Sequence, residues 1–270
     1  MTEYVDDPAD EMRAMVVGDW ATEKRTLVEQ YIDASRAARR QYTHRAYVDL
    51  FCGPGRVWLR DARRFEDGCA LSAWKKSIEK DVPFTQVYVA DIDRQNVECC
   101  AKRLESLGAP VIPLIGEAKN TVVDVMAQIN AFGLHLAVLD PFGLGAMPMT
   151  IIANLSHAKR IDLLVHFSQN DLQRNLPLAR DIEQSEIFEA FAPGWRQSVT
   201  SGAQATARSQ YFQHWINLVE ALDGYKLSRS VPLITNSRNA PLYKLVLFSR
   251  HPLAEKLWNA VAKGPQQDLF

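Results

Sequence analysis

The chain has 270 residues, 47% of them hydrophobic, and its 31 Lys+Arg nearly balance 32 Asp+Glu, for a net charge of −1. That size and apolar content suffice for one large domain with a sizeable core, which excludes a disordered chain, and the even balance excludes a polycation built as a whole to coat nucleic acid. The acidic opening MTEYVDDPADEMRAM has no apolar centre and no run of about 18 apolar residues occurs, so neither a signal peptide nor a membrane span is expected, and a cytoplasmic protein is the default.

In chain order, residues 1–18 read as an acidic, frayed arm. WATEKRTLVEQYIDASRAARR then carries Leu27, Val28, Tyr31, Ile32 and Ala34 at helical spacing. Apolar, β-rich runs follow (RAYVDLF, QVYVADI, PVIPLI, HLAVLD, DLLVHF), separated by helical patterns such as RQNVECCAKRLESLG and EAKNTVVDVMAQINAFG. Strands apolar nearly throughout, alternating with helices, predict an α/β fold: a mainly parallel sheet with helices on both faces. Residues 19–168 are thus expected to form the core. The more polar stretch 169–224 reads as a helical insertion that caps one sheet edge and is a candidate for substrate binding. Residues 225–270, with LYKLVLFSR and the helix PLAEKLWNAVA, are expected to complete the sheet. Cys52, Cys69, Cys99 and Cys100 form no C-x-x-C pair and the six histidines fall at no zinc-like spacing, so no metal site is expected.

The chemistry concentrates at strand ends, where ligands of open α/β sheets bind. The first strand ends in YVDLFCGPGR: Asp49 and Phe51 precede Gly53 and Gly55, which let the backbone approach a ligand with no Cβ in the way. Arg56, Val57 and Trp58 after Gly55 spoil a G-x-G-x-x-G dinucleotide fingerprint, and no P-loop motif occurs. The turn suits S-adenosylmethionine, whose ammonium Asp49 would attract. At the second strand end Asp91, followed by Ile92, is placed for ribose hydroxyls, and at the third Glu117, followed by Ala118, for the adenine edge. The fourth strand ends in Asp140-Pro141-Phe142-Gly143. An aromatic amino nitrogen is a poor nucleophile until acceptors bind its hydrogens. Asp140, at the cofactor's edge as well, and the Pro141 carbonyl are the expected acceptors, with Phe142 stacking an extruded base. An arginine-rich stretch including Arg39 and Arg40, with Arg174 further on, is the candidate phosphate grip.

DPFG resembles the tetrads of amino-methyltransferases, and DLFCGPGR with LDPFGLGAMPMTIIANL, DLLVHFSQNDLQRN and YKLVLFSRHPLAEKLW resembles the three-Cys-motif partner protein (TcmP) family. The resemblance implies a Rossmann-like class I methyltransferase fold with a seven-stranded sheet, S-adenosylmethionine as cofactor, and a radical-type protein carrying three cysteines as partner. EDGCALSAW departs from the family's Gly-Ser-Pro-like segment, which leaves the contacts of Gly68 and Cys69 open. The expected acceptor is an amino nitrogen, a nucleic-acid base by preference. A small-molecule or peptide methyltransferase and a non-catalytic adaptor of a radical S-adenosylmethionine enzyme are the alternatives.

Overall fold

A computed structural model describes residues 2–176, 182–236 and 238–263. Residues 177–181, within the expected insertion, and 264–270, at the end of the expected closing segment, lie outside the described residues.

The main sheet is built from β3 (Ala46–Asp49), β6 (Gln86–Asp91), β7 (Val111–Ile115), β8 (His135–Leu139), β9 (Ile161–Ser168), β10 (Lys226–Leu227), β11 (Leu233–Thr235) and β12 (Pro241–Ser249). Its order is β10-β12-β9-β8-β3-β6-β7, parallel from β9 to β7, with β12 antiparallel to β9. The sheet therefore has seven positions but eight strands. The outer edge of β12 is shared by β10, pairing at Phe248, and β11, pairing at Tyr243. Pro113 interrupts β7 without cost to the ladder because β7 is an edge strand, paired only with β6.

Side chains alternate across the sheet and sort into two cores. Val48, Tyr88, Ala137, Val165 and Phe248 meet α5 (Ala118–Gln128), α6 (Met149–Leu155), α8 (Ile182–Phe191) and α10 (Gln204–Glu220). Tyr47, Val87, Val138, Leu164 and Leu245 meet α1 (Trp20–Ala34), α3 (Cys69–Glu79), α4 (Arg94–Ser106) and α11 (Pro252–Ala262). The expected capping insertion is corrected here. Phe188, Phe191, Tyr211 and Trp215 pack on Phe167 and Phe248, so these helices form part of one face layer rather than an appendage at the edge.

The expected frayed arm is corrected too. Residues 4–17 form a hairpin, β1 (Tyr4–Asp6) and β2 (Arg13–Val17), and β2 runs parallel to β4 (Arg56–Leu59), itself paired with β5 (Arg64–Asp67). The acids of the arm are the reason. Asp7 pairs with half-buried Arg56 at 2.8 Å and Asp10 with buried Arg103 at 2.7 Å, so the negative charge of the arm is complementary to arginines of the body.

Gly55 sits at φ +82, and a Cβ there would stand 2.7 Å from Leu71 Cδ1 and 3.2 Å from the Cys100 backbone. Gly55→Ala is expected to cost about 2–3 kcal/mol from left-handed strain plus overpacking, read as a lower urea midpoint at unchanged slope.

Candidate functional site

The carboxyl ends of β3 and β8, the end of β9 and the start of antiparallel β12 converge on a crevice of about 450 Å³. Its floor is the Asp49–Gly55 loop, one wall is Asp140, Pro141 and Phe142, and α1 and the β1–β2 hairpin supply the opposite side through Trp20, Lys24 and Met15–Val17. Parity explains which strand residues meet. Tyr47, Val138, Leu164 and Leu245 face α1, so Asp49, Asp140, His166 and Tyr243, each two positions away along its chain, share that face at the ligand end.

Gly53, at φ +55, and Gly55 both line the crevice, the Cβ position of Gly55 facing α3 and α4. Gly68 donates its N–H to Gly55 O at 2.7 Å, and a Cβ on Gly68 would lie 3.0 Å from that oxygen. This answers what EDGCALSAW contacts: Gly68 seats the Gly53–Gly55 turn on the first turn of α3, and Cys69 joins the crevice wall. Burial pushes the Cys69 thiol up to about 12, so it is a poor nucleophile at neutral pH.

Asp49 is 2% exposed. Its carboxylate accepts the Phe51 N–H at 3.0 Å and the Tyr47 hydroxyl at 3.4 Å. Burial raises its pKa to about 7, outweighing the Phe51 bond, with Asp140 adding to the rise and Lys24 opposing it. The carboxyl thus lies in the crevice without a cation of its own.

Asp140 lines the crevice wall with a partner on each oxygen. One oxygen pairs with Lys24 Nζ and the other accepts from His166 Nδ1 at 2.5 Å. Burial alone would raise Asp140, but the Lys24 charge and the His166 hydrogen bond hold it well below the usual carboxylate range. For Lys24, burial lowers the pKa and Asp140 more than reverses it. His166 packs against Tyr243 with ring centroids 4.0 Å apart and planes tilted by 36°. Both Asp140 oxygens therefore carry a partner already, each keeping a second lone pair for a further donor. Pro141 is buried in the wall, and Phe142, 66% exposed, stands at the mouth.

The other candidate cofactor residues lie along the neighbouring strand ends. Asp91 is buried behind the turn, its carboxylate accepting the Gly53 N–H at 3.1 Å and the Asp93 N–H at 2.9 Å. Ile92 is exposed, Ala118 is buried, and Glu117 is exposed and pairs with Lys119 at 2.6 Å. Phe51 and the glycine turn reach the crevice, whereas Asp91, Ile92, Glu117 and Ala118 do not line it.

The arginine grip is corrected. Arg39 is buried and donates to Val82 O at 2.7 Å and Ile32 O at 2.9 Å, stacking on Phe84. It and exposed Arg40 sit at α2 (Arg36–Arg39) and its cap, beside the amino ends of β8 and β9, at the far end of the sheet from the crevice. Arg56, Arg60 and Arg64 are paired with Asp7 and Asp67, Glu3, and Glu66 respectively. Arg174 is exposed on α7 (Gln169–Asn175) and outside the crevice.

Sequence reasoning missed Lys24, His166 and Tyr243. The available signal was a lone histidine near the end of an otherwise apolar strand. It also missed Arg103, which donates to Pro54 O at 2.7 Å, Arg13 O at 3.0 Å and Met12 O at 3.1 Å while gripping Asp10, locking the turn to the hairpin. Arg103→Met is expected to cost about 2–3 kcal/mol and to speed amide exchange in residues 4–17, measured by mass spectrometry.

No family model and no curated protein matches the chain. Solved structures do. Protein LPL1258 from Legionella pneumophila is 10% identical with a TM-score of 0.51, over 90% of this chain and 93% of that one. TYW2 from M. jannaschii, in complex with AdoMet, is 10% identical with a TM-score of 0.43, over 92% and 84%. The bifunctional kinase-methyltransferase WbdD is 14% identical with a TM-score of 0.48 over 86% of this chain, which spans only 40% of WbdD. The strand order with one antiparallel strand defines an α/β fold of the methyltransferase kind. Among the described residues no helix is long and apolar enough to cross a membrane.

Proposed function

We propose that the chain is an S-adenosylmethionine-dependent methyltransferase of the three-Cys-motif partner type. The observation that carries this reading is Asp49, a buried carboxyl titrating near 7 beneath a Cβ-free turn in a crevice of ligand size. It suits a cationic ligand, and a pyrophosphate would have to sit against both Asp49 and Asp140. Asp49 would hold the ammonium and Gly53 and Phe51 the methionyl portion. Asp91 would take the ribose hydroxyls, and Ile92, Glu117 and Ala118 the adenine, where the ligand extends past the crevice along the ends of β6 and β7. When bound, the cofactor supplies an electrophilic methyl group.

For the acceptor, the engaged arginines and the hairpin wall favour a small molecule. A nucleic-acid base is the second reading, favoured by the exposed ring of Phe142 at the mouth. The test incubates the full chain with methyl-labelled S-adenosylmethionine and cell extract, then separates small molecules, protein, RNA and DNA. Label among the small molecules is expected, and label in RNA or DNA moves the assignment to the second reading. No label, with no cofactor binding by calorimetry, overturns the methyltransferase and leaves an adaptor of a radical enzyme.

A further inference from the structure

In the β8–β9 register Leu139 lies opposite Val165, so the next position sets Asp140 beside His166. Lys24, 12% exposed, keeps Asp140 anionic. The hydrogen in the 2.5 Å contact between Asp140 Oδ1 and His166 Nδ1 therefore belongs to the ring nitrogen. In a neutral imidazole this leaves Nε2 with a bare lone pair. Tyr243 packs against the ring, its plane tilted by 36°, and His166 borders the same crevice as Asp49 and Phe142. A base oriented by a buried carboxylate is the arrangement by which enzymes remove a proton from a weak nucleophile.

We propose that His166 is the catalytic general base of this crevice, that Asp140 and Lys24 are its positioning residues, and that the acceptor is a hydroxyl group. The proposal rests on the methyltransferase reading above. An aromatic amino group calls for acceptors on its hydrogens rather than a strong base, because its proton becomes acidic only once the methyl group is on nitrogen. A neutral hydroxyl does need one, since its nucleophilicity rises as the proton departs. In the step, an oxygen lone pair forms the bond to the methyl carbon and the carbon–sulfur pair stays on sulfur as a neutral thioether. The hydroxyl proton passes to His166 Nε2, the resulting imidazolium is stabilised by Asp140, and the proton then leaves to water. Among the described residues, Asp140 from the end of β8 and Tyr243 from β12 touch the ring, and Lys24 from α1, Cys69 from α3 and Asp49 from the end of β3 stand in the same crevice.

Two measurements test this. Long-range proton–nitrogen spectra of the full 15N-labelled chain, with His166 assigned through His166→Gln, are expected to show the Nδ1–H tautomer at neutral pH and to lose that preference in Asp140→Asn. A proton on Nε2, or an imidazolium, overturns the proposal without any turnover being needed. With 13C-methyl S-adenosylmethionine and the small-molecule fraction, the product is expected to carry a methoxy carbon. His166→Gln is expected to lower kcat by about 100-fold or more at an unchanged cofactor Kd. An N-methyl product, no transfer from a cofactor-binding protein, or an unchanged rate in His166→Gln also overturns it. Failure of the wild-type protein to bind cofactor removes the methyltransferase reading itself, whereas binding with the wrong tautomer removes only the base.

Discussion

Lys24→Met is expected to destabilise the protein by about 2–3 kcal/mol, because it strips the cation from a partly buried carboxylate and leaves Asp140 with His166 alone. Asp140→Asn is expected to cost less than the lysine change, since an amide still accepts from Lys24 without stranding an anion. The double variant should be more stable than the two single losses added together, because the second change removes what the first leaves unpaired. Urea unfolding of the four proteins measures the cycle. Strict additivity would mean that Lys24 and Asp140 do not form one unit.

Asp49→Asn is expected to do two opposed things: weaken S-adenosylmethionine binding by about 100-fold or more and stabilise the free protein by about 1–3 kcal/mol. The stability sign follows from linkage. The folded pKa of about 7 lies above the ordinary 3.8, so the native state binds the proton more tightly than the unfolded chain. The stability this contributes is full below about pH 4 and is lost as pH rises through 7. At neutral pH the wild-type protein therefore carries part of the cost of a buried charge, which the amide avoids while keeping the Phe51 contact. A rise in Tm of about 3–6 °C in Asp49→Asn at pH 8, shrinking towards pH 5, is the expected calorimetric result. An unchanged or lower Tm would place Asp49 among groups that stabilise the fold as anions.

The sheet was legible because its strands are unusually continuous: AYVD, QVYVAD, HLAVL and IDLLVHFS are buried on both faces and separated by amphipathic helices. The glycine turn was legible for a local reason, since two glycines after a strand announce backbone geometry without needing partners. What escaped depended on partners far along the chain. The hairpin at 4–17 reads as a charged tail until Arg56 and Arg103 are set against Asp7 and Asp10. Lys24 looks like an exposed residue on a helix whose stripe is Leu27, Val28, Tyr31 and Ile32, and only its pairing with Asp140, 116 positions away, makes it part of the site. Arg39 failed in the opposite direction. A run of arginines resembles a solvent-facing patch, yet this one is capped by backbone carbonyls at the opposite end of the sheet. Strand parity was available from the sequence, but register was not, and it is register that sets His166 next to Asp140.

The central claim is that a buried carboxyl, half-ionised near neutrality, receives a cationic nucleoside in this crevice. Calorimetric titration of the wild-type protein with S-adenosylmethionine between about pH 5.5 and 7.5 tests it most directly, because a cationic ligand selects the Asp49 anion. The predicted result is one site per chain, with affinity weakening towards tenfold per pH unit below about 7, levelling above it, and no such dependence in Asp49→Asn. Absence of binding, or an affinity that is flat across that range in the wild-type protein, would contradict it.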